Sequence, residues 1–174
     1  GATNAMRSLG ARGFALTFAA DAGKAVLAVL IARALAGDAL GLGAGAVAAL
    51  AAIVGHNWSI FIGFGGGRGV ATSFGAMVML YWPGALVGLV AAAILIGTTR
   101  YVSLGSLGGT IVGLIVAIGA VLAGAQPIVL AELALAIAAL VIWQHRDNIQ
   151  RLLAGTERRI GQRGEPRPGG TRPA

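Results

Sequence analysis

The chain has 174 residues, 57% of them apolar and only 11% charged, less than half the charged share of an ordinary soluble domain. Uncharged runs over residues 39–67 and 70–99 exceed what one soluble core helix needs, which excludes a water-soluble globule and points to a protein crossing a membrane several times. Zero cysteines, two histidines and six scattered acids leave no thiolate chemistry and no metal cage, and seven of the thirteen basic residues behind the +7 net charge lie in the last 29 positions, a positive flank suited to headgroups or phosphorylated substrates rather than nucleic acid.

The chain opens without Met on Gly1-Ala2-Thr3-Asn4. That start looks cut within a motif, so an upstream element is expected. If the opening is helical, Thr3 and Arg7 share a face at i, i+4; the plainer alternative is an exposed end with a juxtamembrane arginine. Apolar segments follow at residues 14–36, 40–61, 70–81, 85–97, 104–123 and 128–143, separated by Gly/Pro punctuation or polar runs. The first two and the 104–123 segment are long enough to span a bilayer. Segments 70–81 and 85–97 are short, at about 18–20 Å each by helix rise. They form either one kinked span around Pro83 or two short helices.

Charge placement favours two. With Arg7 and Arg12 in the cytoplasm, Arg68 is inside, and Arg100 and the basic tail join it only if the pair around Pro83 is two helices. The expected fold is therefore an all-α polytopic membrane bundle of about six helices, occupying residues 1–160. Residues 161–174 read as a disordered, basic, Pro/Gly-rich tail. Asp21 and Lys24, at i, i+3 within the first segment, are expected to pair with each other toward the bundle interior.

Three polar stretches fall on the cytoplasmic face in this arrangement: 1–12, 55–72 and 145–157. The middle one reads Gly65-Gly66-Gly67-Arg68-Gly69 before a helix start. Glycine amides, a helix N-terminus and a forked cation make a natural anion cradle, although no P-loop pattern is present. A flexible turn with a snorkelling arginine is the competing interpretation. In the third stretch a helix would put His145 and Asn148 on one face, able to bond a hydroxyl or phosphate, or it is a plain amphipathic extension. Ser103 and Ser106 flank a helix start after Arg100, as N-caps first and phosphate donors second.

These stretches resemble a known family. Gly1–Gly10, the loop from His56 to Thr72, and His145-Arg146-Asp147-Asn148-Ile149-Gln150-Arg151 through Glu157 are similar to the bacterial membrane glycerol-3-phosphate acyltransferases that use acyl phosphate, the PlsY family. Asp21-Ala22-Gly23-Lys24 and Thr99–Ser106 look like it too. The resemblance implies a seven-helix inner-membrane enzyme with a cytoplasmic active site, whose first helix and motif start would precede Gly1. It implies acyl transfer from acyl phosphate to the 1-hydroxyl of sn-glycerol 3-phosphate, giving lysophosphatidic acid and phosphate, with no cofactor and no metal. Phosphate-binding roles are implied for Arg7, Arg68, Gly66, Gly67 and Gly69, and polar contacts for Thr3, Asn4, His145, Asn148 and one of Ser103 and Ser106. Arg68 stands where the family usually has lysine, Gly65 replaces another lysine, and Ser59 replaces a common proline.

Acyl phosphate is already activated, so the protein must mainly position two anions and stabilise developing charge. His56 and His145 are the candidate bases at neutral pH, with a substrate phosphate oxygen as the alternative. The His-x-x-x-x-Asp pattern of other acyltransferases is absent, since Phe61 and Gln150 stand at the fifth positions. A transporter or flippase for a phosphorylated lipid or small anion is the rival reading; it requires polar groups across the bilayer, where these segments are aliphatic.

Overall fold

The computed structural model describes residues 1–162. Among them are five α-helices: α1 (Ala2–Asn57), α2 (Val70–Thr99), α3 (Val102–Leu122), α4 (Ile128–Gln144) and α5 (Arg146–Leu153), with a 3₁₀ turn at Ile60–Ile62. The count corrects the six expected. The first two expected segments run together as α1, the pair around Pro83 is joined in α2, and α5 is a separate short helix after the last apolar segment. Most of the tail expected to be disordered lies outside the described residues.

The two long helices are not straight. Gly37 takes φ 69°, ψ −179° inside α1, a left-handed φ that glycine adopts without a Cβ penalty. Lys24 Nζ reaches His56 Nδ1 at 2.5 Å across 32 positions, whereas a straight helix would hold them about 48 Å apart. The helix therefore folds back at Gly37 into two antiparallel arms, each about long enough for one crossing. A second break at Gly10 (φ 70°) turns the opening arm, Ala2–Leu9, back on the helix. In α2 the break is at Tyr81 (φ −158°, ψ 78°). Pro83 then sits in the first turn of the returning arm, where its missing N–H costs nothing. Both ends of α2 consequently arrive at one face of the bundle.

Small residues let the arms approach. A Cβ on Gly75 would collide with the Ala22 backbone, and Gly88 and Gly109 face each other so closely that a Cβ on either would lie 2.6 Å from the other's carbonyl oxygen. Such backbone-to-backbone packing is how membrane helices gain contact without a hydrophobic driving force. The buried centre is mostly aliphatic, with Ala25, Val29, Ala49, Ile53, Leu130, Ile137 and Val141, while Leu16, Leu35, Leu40 and Leu122 face outward as lipid contacts do. The last apolar helix bends by 62° into α5 at His145. That bend lays α5 across the end of the bundle where α2 begins and ends.

Candidate active site

α5 and the segment after it carry the centre of the site. Glu157 Oε1 accepts from Ser103 Oγ at 2.7 Å and Asn148 Nδ2 at 2.6 Å, and Oε2 accepts from Arg151 Nε at 2.8 Å. One carboxylate thus ties the start of α3 to both sides of α5. Burial alone would raise its pKa, but the bonds from Ser103, Asn148 and Arg151 outweigh burial and hold it below the usual range. Ser103 is the second residue of α3 and caps nothing, so the expected N-cap role is corrected: its hydroxyl goes to Glu157. Ser106 accepts through its backbone oxygen from Thr110 Oγ1 and shares no bond with this network.

His145 sits at the bend between α4 and α5 and is only 1% exposed. Its Nδ1 meets the Val141 carbonyl at 2.8 Å, which assigns the ring proton to Nδ1 and leaves Nε2 as an acceptor. Burial lowers its pKa to about 4, the Val141 bond opposing this, Arg68 adding to it and Glu157 opposing it. The ring is therefore neutral at physiological pH. Arg68, on the loop before α2, has its pKa lowered first by burial; Glu157 and Asp147 raise it, while Arg151 and Arg7 lower it. Arg68 thus lies within electrostatic reach of Arg7, Arg151, His145 and Glu157, which with it come from three separate stretches.

The glycine loop forms the neighbouring wall. A Cβ on Gly66 would collide with the backbone of His56 and Asn57, and one on Gly67 with the His56 imidazole. Gly69 (φ 77°) caps α2 beside the Asn57 amide. Asn57, Thr72 and Ser73 are buried here, and their side-chain polar atoms have no partner among the described residues; with the first amides of α2 they are unspent hydrogen-bonding capacity. A cleft of about 300 Å³ opens between Gly66, Gly67, Thr17, Asp21, Lys24 and His56. Lys24 Nζ bonds Asp21 Oδ1 at 2.7 Å, and His56 Nδ1 lies 3.2 Å from the same oxygen. The expected Asp21–Lys24 pair is present, with His56 as an unforeseen third member.

The matching family model, described as glycerol-3-phosphate acyltransferase, covers residues 1–155. The chain belongs to this glycerol-3-phosphate acyltransferase family. A glycerol-3-phosphate acyltransferase of Thermoanaerobacter sp. (strain X514) is 45% identical over 168 residues, spanning 95% of this chain and 79% of that protein. Glycerol-3-phosphate acyltransferase 1 of Deinococcus radiodurans is 45% identical over 171 residues, with 94% and 79% covered. Two crystal structures of PlsY (YgiH), an integral membrane glycerol 3-phosphate acyltransferase, match with TM-score 0.81 and 36% identity. They represent its glycerol 3-phosphate form, covering 92% of this chain and 78% of that one, and its lysophosphatidic acid form, covering 92% and 79%.

Within this acyltransferase, Arg7, Arg68, His145, Asn148 and Ser103 gather at one end of the bundle, and His56, Gly66 and Gly67 line the adjoining cleft. Thr3 and Asn4 occupy the first turn of α1 beside Gly1, which abuts Gly67. Glu157, Asn57 and Thr72 were not singled out from sequence. A lone acid in a basic tail reads as solvated charge, and the partners that make Glu157 central are 54, 9 and 6 positions away.

Proposed function

We propose that the protein transfers a fatty acyl group from acyl phosphate to the 1-hydroxyl of sn-glycerol 3-phosphate, releasing lysophosphatidic acid and inorganic phosphate. The observation carrying this reading is the gathering of Arg7, Arg68 and Arg151 around a buried His145 and Asn148, next to a glycine-walled cleft. Two phosphorylated reactants need that much positive charge and that many bare donors side by side. In this reading Arg68, Arg7 and the amides of Gly66 and Gly69 hold phosphate, while the Gly67 amide donates to the His56 carbonyl at 3.1 Å and fixes the loop. Ser103, Asn148, Thr3 and Asn4 add polar contacts.

Neutral His145 offers Nε2 to the attacking hydroxyl and orients it. The ester C–O bond forms as the bond from the acyl carbon to the bridging phosphate oxygen breaks, and the proton leaves on an oxygen of the departing phosphate, so no ionised side-chain base is needed. The site faces the cytoplasm of a bacterial inner membrane, the side on which phosphorylated metabolites are held and basic flanks accumulate. Transport is less favoured: Arg33 and Asp38 line a separate cavity at the Gly37 bend, and aliphatic Ala25, Val29, Ala49 and Ile53 fill the centre between.

Purified protein incubated with radiolabelled glycerol 3-phosphate and palmitoyl phosphate is expected to give labelled lysophosphatidic acid, and with palmitoyl-coenzyme A to give none. Product from the thioester alone would overturn the donor assignment. No product from either would overturn the whole reading.

A further inference from the structure

The segment between the two walls of the cleft has a feature that phosphate binding does not use. Ile60, Phe61, Ile62 and Phe64 follow one another with only Gly63 between, and all four are exposed, Ile62 also lining the cleft; Phe61 is 90% exposed and Phe64 67%. No charged residue lies between His56 and Arg68. An apolar tip of this size beside a polar site is costly to leave in water.

Backbone bonds pin the base of this tip. Ser59 N donates to the Gly65 carbonyl at 2.9 Å, Phe64 N to Ser59 O at 2.8 Å, Ile62 N to Ser59 O at 3.2 Å and Gly65 N to Ile62 O at 3.2 Å. Ser59 and Gly65 form an antiparallel bridge at its base. None of these bonds takes in the amides of Ile60, Phe61 or Gly63, which suits the headgroup level, where water still reaches the backbone, and not the hydrocarbon core. The pinned base also holds Phe64 at φ 60°, a left-handed conformation unfavourable for a bulky residue, and the outward rings are what that strain secures.

Neighbouring residues mark the level of the boundary. Trp58 precedes the tip, and at the end of α4 an exposed Trp143 carries the Arg146 guanidinium 5.3 Å over its ring. Tryptophan and arginine pairs of this kind settle at the headgroup level. On the arm of α1 that leads into the tip, Val47 and Val54 are exposed as well.

We propose that Ile60–Phe64 is a membrane-immersed anchor, lodged at the headgroup–acyl boundary of the leaflet that adjoins the site. It holds the glycine loop and its cleft at the depth where a lipid-borne acyl donor carries its polar end. The anchoring stands on the loop alone and does not depend on which donor the enzyme uses.

The zero-cysteine sequence allows one label at a chosen position. Phe61→Cys, and separately Ile60→Cys, are labelled with an environment-sensitive nitrobenzoxadiazole group and reconstituted into phosphatidylcholine/phosphatidylglycerol vesicles. The expected result is a blue-shifted emission, quenched at least about threefold more by lipids with a nitroxide near the glycerol end than by aqueous iodide. Preferential quenching by iodide would overturn the proposal. So would protection from both quenchers that disappears on dilution into excess lipid, since a second copy of the chain would then be covering the tip. Size-exclusion behaviour identical to the unsubstituted protein shows each labelled variant is folded, and failure of one position leaves the other to decide.

Discussion

At the scale of single residues, the site is organised by which charges are buried together. Arg68 stands where a forked cation can hold a phosphate, and Arg7 approaches from the other end of the sequence. Replacing either with alanine in the intact protein is expected to reduce acyl transfer at least about 100-fold while leaving the detergent-solubilised fold intact. Arg68→Lys should retain most activity, because charge and reach survive even though the fork does not. His145 adds a pH signature. Its folded-state pKa of about 4 lies below its unfolded value of about 6.5, so the unfolded chain binds more protons between those limits. Stability from this group is complete above about pH 6.5 and is lost as pH falls toward 4, a change of up to about 3 kcal/mol. Thermal melts from pH 7 to pH 4 should show this loss in the native protein and a smaller one in His145→Gln. A carboxylate only 7% exposed is the other exacting residue. Glu157→Ala leaves Ser103, Asn148 and Arg151 without their common acceptor and is expected to cost about 3 kcal/mol, read as a lower melting temperature together with lost activity.

At the scale of elements, glycine does two separable jobs. Gly88 and Gly109 let the returning arm of α2 touch α3 backbone to backbone. Gly109→Val should destabilise the bundle by about 2 kcal/mol without altering substrate affinity in the protein that remains folded. Gly67 packs on the last turn of α1, against the His56 ring and carbonyl on the cleft wall. Gly67→Ala is therefore expected to perturb glycerol 3-phosphate affinity more than melting temperature. These elements also show what the sequence makes legible. Glycine and proline punctuation locates the reversals at Gly37 and near Pro83, and the uncharged runs identify the membrane-crossing material. What periodicity does not reveal is that α5 stands apart from α4. The serine pair shows the same limit. Local chemistry suggests a cap at the start of α3, and only the tertiary fold brings Glu157, 54 positions on, to Ser103.

At the scale of the whole molecule, three stretches far apart in sequence meet because α1 reverses at Gly37, α2 reverses at Tyr81 and the chain bends by 62° at His145. Charge placement puts the three motifs on one face, and the family resemblance makes them one site, but nothing in the spacing of Arg7, Arg68 and Asn148 fixes those three turns. The same turns place the Asp21–Lys24–His56 cluster on the cleft wall, where sequence suggested a pair facing the interior. Calorimetric titration of glycerol 3-phosphate into the purified protein, beside Arg7→Ala, Arg68→Ala and Asn148→Ala, tests this convergence most directly. A single shared anion site predicts that all three substitutions weaken binding by about tenfold or more, at unchanged melting temperature in the two arginine variants. Native affinity in the Arg7 and Arg68 variants would contradict it.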